Sequence, residues 1–185
     1  MSEKKLLLAS ASPRRRELMR LITEDFECAS ADVDETLPRG ISPKSAVLLL
    51  SSKKARALEE PGRLVVGADT VVALGRRIMG KPRDNDDAFE MLRALSGRRH
   101  RVLTGVTLLR DGRERSFAAE TYVYFRSLSD AEIRRYIATG ECADKAGAYG
   151  IQGRGALLVE KIHGDFFNVV GLPVSLLAKE LEAFG

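Results

Sequence analysis

Apolar and polar residues alternate along this chain in segments that predict short strands and amphipathic helices in mixed order. Strand-like runs cover residues 4–9, 26–31, 63–73, 101–109, 116–125 and 156–162. Cap residues and prolines followed by helical spacing predict helices that begin near Ser12, Ser42, Asp84, Ser129 and Pro173. Asp111-Gly112, between two strand-like runs, predicts a hairpin turn. Without a strict βαβ rhythm or a linker, the pattern predicts an α/β fold with a mixed sheet, as one domain or two lobes.

Composition and charge exclude some classes of protein. The 185 residues include 30 Lys and Arg against 26 Asp and Glu, a net charge of +4 that suits an anionic partner such as a nucleotide or a nucleic acid. Aromatic residues make up only 6%, tryptophan is missing and no RNA- or DNA-reading motif occurs, which argues against a nucleic-acid-binding module. No apolar run approaches the roughly 20 residues that span a bilayer. With no signal peptide and two separated cysteines, we expect a cytoplasmic protein without membrane contact.

The turn from the first predicted strand into the first helix carries hydroxyl and guanidinium groups. Ser10 and Ser12 precede the helix, and Arg14 lies in its first turn. A helix N-terminus presents free backbone N–H groups and partial positive charge, so it attracts anions. The segment therefore predicts phosphate binding, with a capped surface helix and solvated arginines as the alternative.

An aspartate follows an apolar run in the third predicted strand. Asp69 comes directly after Gly67-Ala68, so we expect its carboxylate to leave the end of a buried strand. A carboxylate in that position binds a metal, a proton or a cation unless it caps a turn. The small residues Gly67 and Ala68 would let a ligand approach the backbone. Asp69 is therefore a candidate functional residue, with turn capping as the alternative.

Three further charged residues are candidates for binding phosphate or metal. Lys81 lies between Gly80 and Pro82, on a restricted loop that could aim its ammonium group at a phosphate. Lys54 lies on the second predicted helix, and a solvated surface lysine is the alternative for both. Glu35, in an acidic loop, is either an exposed acid or a second carboxylate for a divalent cation.

A glycine-dense segment, residues 144–153, precedes the last predicted strand. Its glycines permit close approach of a ligand, and Gln152 offers both a donor and an acceptor. A paired hydrogen bond from such an amide can read the edge of a pyrimidine, while Tyr149 could pack on a ring or support the loop. A flexible surface loop is the alternative.

Two absences narrow the chemistry. The chain contains no P-loop sequence, which argues against a Walker-type NTPase. Its only histidines, His100 and His163, have no convincing partners for a catalytic triad or a zinc site. Chemistry would therefore fall to carboxylates, lysines and arginines, which indicates phosphate chemistry with a hard metal ion.

Seven segments together resemble the Maf family of nucleotide pyrophosphatases. They run in order along essentially the whole chain: LASASPRR at 8–15, GADT at 67–70, GKPR at 80–83, LSG at 95–97, TGV at 104–106, DKAGAYGIQG at 144–153 and VVGLP at 169–173. The resemblance implies a single Maf-like domain over residues 1–185, with a mixed elongated sheet, flanking helices and two lobes around a central cleft, similar to inosine triphosphate pyrophosphatases. It also implies hydrolysis of a nucleoside triphosphate to the monophosphate and pyrophosphate with a divalent cation, Mg²⁺ or Mn²⁺.

The same resemblance implies roles for individual residues. Segment 144–153 is similar to the branch that acts on dTTP and UTP. Asp69 would be the catalytic proton acceptor, and Asp69 and Glu35 would hold the metal. The substrate-binding positions would be Ser10, Arg14, Lys54, Thr70, Lys81 and Gln152, of which Arg14, Thr70 and Gln152 would set substrate choice. Residues 49–51 read Leu-Leu-Ser where the family often has Arg-Leu-Ala, so any contact of that arginine is missing.

Several alternatives to this function stay open at the level of sequence. They are the same chemistry on 7-methyl-GTP or other purine nucleotides, a non-catalytic nucleic-acid-binding protein, and a septum-regulating protein that acts through protein contacts. The expected partner is a small nucleotide. In the expected house-cleaning role, the protein would also hydrolyse modified pyrimidine nucleotides. A homodimer is the default for a soluble oligomer.

Overall fold

The structure is a computed structural model that describes residues 6–185. Its strands are β1 (Leu6–Ala9), β2 (Phe26–Ala29), β3 (Val65–Leu74), β4 (Arg77–Met79), β5 (Arg99–Arg110), β6 (Arg113–Phe125) and β7 (Val159–His163). Its α-helices are α1 (Pro13–Arg20), α2 (Pro43–Ala57), α3 (Asn85–Leu95), α4 (Asp130–Ile137), α5 (Phe166–Val170) and α6 (Val174–Phe184). Two 3-10 segments cover Ala146–Ala148 and Gly153–Leu158. The predicted α/β class is confirmed.

The strands form a mixed sheet, as the sequence pattern predicts. The seven-stranded sheet has the order β2-β1-β3-β5-β6-β7, and β4 pairs with β3. Strand β1 is parallel to β2 and to β3, whereas the pairs β3–β4 and β6–β7 are antiparallel. Because β1 and β3 are parallel neighbours, the carboxyl end of β1 lies beside Gly67 of β3.

Contacts within the chain define two compact units. Unit 1 comprises residues up to Thr70, Thr104–Ala119 and Gly171–Gly185, and unit 2 comprises Val71–Leu103 and Glu120–Val170. Each unit has buried apolar clusters of its own. One in unit 1 contains Leu7, Ala9, Ala55, Val65 and Leu109. The cluster in unit 2 includes Leu92, Leu95, Val123, Phe125 and Ile133. That residues 1–185 form one domain around one cleft stays a prediction.

The five predicted helix starts are confirmed, and four of them have the side-chain cap that the sequence indicates, whereas α6 begins after Pro173 without one. Ser12 caps α1 and Ser42 caps α2, each followed by a proline in the first turn. Asp84 caps α3, and Ser129 forms a capping box with Glu132 at the start of α4. Such caps satisfy backbone N–H groups that have no partner inside the helix. Local chemistry therefore fixes where these helices begin.

Asp69 lies inside a strand, and the prediction that it leaves the end of one is wrong. Strand β3 continues beyond Asp69 to Leu74. Its last residues, from Val72 to Leu74, pair with β4, a short strand that the sequence pattern did not predict. The strand thus continues past the aspartate, as the run over 63–73 indicates, and the carboxylate projects from a face of the sheet.

The strand predicted over 156–162 begins later than expected. Strand β7 starts at Val159, because Gly153–Leu158 forms a 3-10 segment. Helix α5 was also not predicted, since five residues are too few to show helical spacing. The hairpin at Asp111-Gly112 is confirmed, with φ values of 50° and 77° that a two-residue turn of this kind requires. Lys4 and Lys5 of the predicted first strand lie outside the described residues.

Candidate functional site

Helix α2 packs directly against the sheet because two glycines leave room for its backbone. A Cβ at Gly67 of β3 would overlap the Ser51 carbonyl oxygen and lie 2.7 Å from the Ala55 nitrogen. A Cβ at Gly105 of β5 would overlap the Val47 carbonyl oxygen in the same way. The expectation that Gly67 makes room for a ligand is wrong, since the backbone of α2 fills that space.

This close packing brings Lys54 of α2 to Asp69 of β3. Asp69 follows Gly67 by two residues, so both lie on the same face of the strand. Lys54 Nζ lies 2.6 Å from Asp69 Oδ1, and only 12% and 11% of the two side-chain surfaces are exposed. An ion pair this well buried is costly to break, because removing one partner leaves an uncompensated charge. Asp69 is therefore a buried, ion-paired carboxylate rather than a turn cap.

Glu35 completes a three-residue cluster around the same ammonium group. Lys54 Nζ lies 2.8 Å from Glu35 Oε1, and the Glu35 side chain is 56% exposed. The loop that carries Glu35 is tied to α2, since Lys53 Nζ donates a hydrogen bond to the Asp34 carbonyl oxygen at 2.8 Å. We call Glu35, Lys54 and Asp69 the carboxylate–lysine cluster. It runs from a buried carboxylate to an exposed one within unit 1.

A second polar network of unit 1 surrounds Arg15 of α1. Arg15 Nη2 donates to Thr70 Oγ1 at 3.0 Å, and Arg15 Nε donates to the Gly171 carbonyl oxygen at 2.8 Å. Arg15 Nη1 lies 3.4 Å from Ser10 Oγ. Thr70 Oγ1 is also 2.9 Å from Thr104 Oγ1, which is fully buried. The predicted residues Ser10 and Thr70 are thus brought together by one guanidinium group.

The charges of these two groups influence each other. Burial lowers the pKa of Arg15, the negative charges of Asp69 and Glu35 raise it, and the positive charge of Arg14 lowers it. A guanidinium stays protonated despite such a shift, because its ordinary pKa is far above neutrality. The charges that act on Arg15 thus include those of Asp69 and Glu35, the two carboxylates that contact Lys54.

Arg15 and Thr104 were missed by the sequence analysis, which named Arg14. Both arginines lie in the first turn of α1, where one residue step rotates the side chain by about 100°. The sequence shows the Arg14-Arg15 pair but not which of the two faces Thr70. The contacts to Ser10 and Thr70 belong to Arg15. Arg14 is partly buried beside it, and its role in substrate binding stays a prediction.

In unit 2, the loop of Lys81 and the glycine-dense segment are joined through their backbones. The Gly147 N–H donates to the Gly80 carbonyl oxygen at 3.0 Å. Gly147 has a φ of +69°, and a Cβ there would lie 2.9 Å from Val72 Cγ1, so glycine is required. Lys81, which follows Gly80, and Gln152 are both exposed. Their roles as binding residues stay predictions.

Tyr149 supports the loop, which resolves the two roles left open for it. Its ring is 5% exposed and packs edge-on against Phe125, with 4.7 Å between ring centroids. Its hydroxyl lies 2.7 Å from His100 Nε2. Burial raises the pKa of Tyr149 and lowers that of His100 to about 4, so both side chains are neutral at pH 7. Packing on a substrate ring is not available to a side chain buried in this way.

The two carboxylates of the carboxylate–lysine cluster are oxygen donors of the kind that a hard divalent cation prefers. Within residues 6–185, no group of three or more His, Cys, Asp or Glu side chains is arranged to hold a metal ion. Glu35 and Asp69 nevertheless direct one oxygen each at the same ammonium group. Mg²⁺ is commonly held by only one or two carboxylates, with water and substrate phosphates as the other ligands. Two carboxylates are therefore sufficient if the substrate supplies phosphate oxygens.

Comparison with known proteins decides the family. The model of the Maf-like protein family matches residues 5–184. This chain belongs to the Maf-like family. Its curated relatives include proteins named dTTP/UTP pyrophosphatase from Exiguobacterium sibiricum, at 52% identity over 97% of this chain and 92% of the relative. Others with the same name are from Carboxydothermus hydrogenoformans, at 49% identity, and a Geobacillus species, at 48%, each covering 98% of this chain and 99% of the relative.

A solved structure supports the fold. The Ham1 protein of Staphylococcus aureus superposes with a TM-score of 0.55 over 98% of this chain and 100% of that chain, at 17% identity. At so low an identity the likeness concerns the fold alone. Among the described residues, no helix has the length and apolar character needed to cross a membrane.

Proposed function

We propose that this chain hydrolyses dTTP and UTP to the nucleoside monophosphate and pyrophosphate. The observation that carries the proposal is the carboxylate–lysine cluster, a buried Asp69 paired with Lys54 in a member of the Maf-like family. The curated relatives that match nearly the whole chain carry the name of this activity. House-cleaning hydrolysis of modified pyrimidine nucleotides is a natural extension of the same chemistry.

Asp69 would accept the proton of the attacking water. Its carboxylate is held by Lys54 at 2.6 Å and lies on a rigid strand, which fixes the orientation of the base. Water activated there attacks the α-phosphorus, and pyrophosphate leaves. Lys54, which already contacts both carboxylates, would donate to phosphate oxygens when the nucleotide is bound.

A divalent cation, Mg²⁺ or Mn²⁺, would be held by Asp69 and Glu35. Bound there, it would polarise phosphate oxygens and offset the charge of the leaving pyrophosphate. The residues of this chain then have separate tasks. Lys54 and Lys81 neutralise the triphosphate, and Ser10 and Arg14, at the start of α1, lie where a helix N-terminus attracts an anion.

Substrate choice would rest on Thr70, Gln152 and the arginines of α1. Thr70 is fixed by Arg15 at 3.0 Å and by Thr104 at 2.9 Å, so its hydroxyl has a defined position. Gln152 is exposed and carries the donor and acceptor pair that can read a pyrimidine edge. We expect the protein to act in the cytoplasm, where Cys28 and Cys142, both free thiols, would stay reduced. A homodimer is our default expectation.

The experiment is a screen of nucleoside triphosphates with Mg²⁺ or Mn²⁺ and detection of both products. We expect pyrophosphate and monophosphate from dTTP and UTP, with slower release from CTP, ATP, GTP and 7-methyl-GTP. Preferential release from 7-methyl-GTP or another purine nucleotide would assign the purine alternative instead. No release from any nucleotide would contradict the proposal and favour a nucleic-acid-binding or septum-regulating role.

A further inference from the structure

The amide of Gln152 is not used to cap the 3-10 segment that follows it. Gln152 occupies the capping position before Gly153–Leu158, with an extended backbone at φ −86° and ψ 165°. Within the described part of the chain, its side chain makes no capping hydrogen bond. A short polar side chain such as Ser, Thr, Asp or Asn at such a position commonly accepts from the first free backbone N–H groups. Another group must therefore satisfy them.

Glu141 provides the missing cap. Its carboxylate accepts from the backbone N–H of Arg154, at 3.0 Å to Oε2, and from that of Gly155, at 3.3 Å. Glu141 lies between α4 and the glycine-dense segment, so it reaches the 3-10 segment from a different part of unit 2. Because the carboxylate satisfies these donors, the Gln152 amide is released from capping.

The same carboxylate occupies the space beside Gly153. Gly153 has a φ of +65°, and a Cβ there would lie 2.9 Å from Glu141 Oε1. A side chain at residue 153 would therefore displace the carboxylate and is strained by its backbone conformation as well. The residue next to Gln152 is thus fitted closely to Glu141, which defines where the Gln152 backbone lies.

Glu141 is itself held in place by Lys145. Lys145 Nζ donates to the Glu141 carbonyl oxygen at 2.5 Å and to Asp144 Oδ1 at 2.7 Å. The aliphatic part of Lys145 covers Gly150, where a Cβ would lie 2.7 Å from Lys145 Cε. The residues on both sides of Gln152 are therefore tied to the same short stretch of chain, residues 141–145.

We propose that Glu141 is a positioning residue for Gln152, and that discrimination between UTP and CTP depends on its carboxylate. The inference rests on the proposed function. UTP presents a carbonyl where CTP presents an amino group, so an amide held in one orientation distinguishes them. Without Glu141, the backbone N–H groups of Arg154 and Gly155 lose their acceptor, and the Gln152 amide oxygen turns back to cap them. The Gln152 amide can then no longer form hydrogen bonds with the base.

The test compares Glu141→Ala and Glu141→Gln with a matched control, Glu132→Ala. Glu132 also accepts from a backbone N–H of unit 2, that of Ser129 at 2.8 Å, but it caps α4. For each variant, kcat/KM is measured for UTP and for CTP. We expect Glu141→Ala to reduce the UTP preference by about tenfold, toward the ratio of Gln152→Ala, because a small displacement of a positioning group has large kinetic effects. Glu132→Ala should keep the wild-type ratio at a similar loss of thermal stability.

A second readout is independent of activity. Backbone amide exchange at Arg154 and Gly155 should be faster in Glu141→Ala, and less so in Glu141→Gln, whose neutral oxygen is a weaker acceptor than a carboxylate. Unchanged exchange or a wild-type UTP preference in Glu141→Ala would overturn the inference while leaving the proposed function intact. If the alanine variant does not fold, faster exchange in Glu141→Gln together with a wild-type UTP preference would overturn it. A wild-type UTP preference in Gln152→Ala would also overturn the inference. A wild-type protein that releases no pyrophosphate from UTP would overturn the proposed function and the inference together.

Discussion

The two units position their candidate residues in different ways. In unit 1, Lys54 and Asp69 lie on regular elements and contact each other through their side chains at 2.6 Å. In unit 2, Lys81 and Gln152 lie on irregular backbone, and the nearest fixed contacts join main-chain groups, such as Gly147 N–H to the Gly80 carbonyl oxygen. An ion pair between side chains can stabilise charge that develops during a reaction. An anchored loop instead keeps a binding surface in one conformation.

This difference predicts different consequences of mutation. A change in the carboxylate–lysine cluster should lower turnover on every nucleotide, because the triphosphate is common to all of them. A change in the anchors of the Gln152 segment should alter the choice of base or the stability of unit 2.

The largest effect is expected for Asp69→Asn. Asparagine keeps the size of the side chain but cannot accept the proton of the attacking water, so turnover on dTTP and UTP should fall by about 10³-fold. The loss of turnover is measured as the steady-state rate of pyrophosphate release. Asp32→Asn, which changes an exposed carboxylate of the same unit, is the control and should keep wild-type turnover. Near-normal turnover in Asp69→Asn would show that another group is the base.

Lys54→Met should lower turnover by about 10²-fold, because it removes one cation aimed at the charge of the transition state. Methionine keeps most of the aliphatic length, so packing of α2 is retained. Lys44→Met, at an exposed position of the same helix, is the matched control. Equal losses in the two variants, measured as kcat with dTTP, would contradict a specific role for Lys54.

Gly67→Ala and Gly105→Ala test how α2 places Lys54. Both substitutions push the α2 backbone away from the sheet, and each should lower the free energy of unfolding by about 1–3 kcal/mol. Gly67 lies beneath Ser51 and Ala55, which flank Lys54, while Gly105 lies beneath Val47. Turnover should therefore fall about tenfold further in Gly67→Ala, because the base and the cation separate. Equal turnover at equal stability would show that the spacing of α2 at Lys54 does not matter.

The smallest effect on turnover is expected for Tyr149→Phe. The ring contact with Phe125 is kept, but His100 Nε2 loses its partner in the core of unit 2, which should lower the free energy of unfolding by about 1–3 kcal/mol. Chemical denaturation measures this loss. Tyr124→Phe, in β6 and only partly buried, is the control and should be close to wild type. A larger fall in kcat than in stability would mean that Tyr149 acts in the reaction.

The parts of the fold that the sequence predicts are those set by local chemistry. Four helices begin with a side chain that accepts a hydrogen bond from a backbone N–H only three residues away, so a short window of sequence contains both partners. These cap residues are Ser12, Ser42, Asp84 and Ser129. The Asp111-Gly112 turn is local in the same sense. Strand β4 and helix α5 are not predicted from the sequence, because segments of three and five residues carry too little periodicity to be recognised.

Sequence motifs predict which residues form the candidate site, but they do not predict the contacts between those residues. Asp69 and Lys54 were both named, yet only the packing of α2 on Gly67 shows that they form an ion pair. Arg15 was missed because its partner Gly171 lies 156 residues away, and no local signal separates it from Arg14. Glu141 was missed for a similar reason, since it caps a segment 13 residues further along the chain.

The claim that Asp69 and Lys54 work as one catalytic unit is tested most directly by a double-mutant cycle. The kcat for dTTP is measured in wild type, Asp69→Asn, Lys54→Met and the double variant. Residues that act together give strongly non-additive losses. The account predicts that the double variant loses much less than the product of the two single losses, because Lys54 also orients the Asp69 carboxylate. Losses that multiply in the double variant would contradict it, because they would show that the carboxylate and the ammonium act independently.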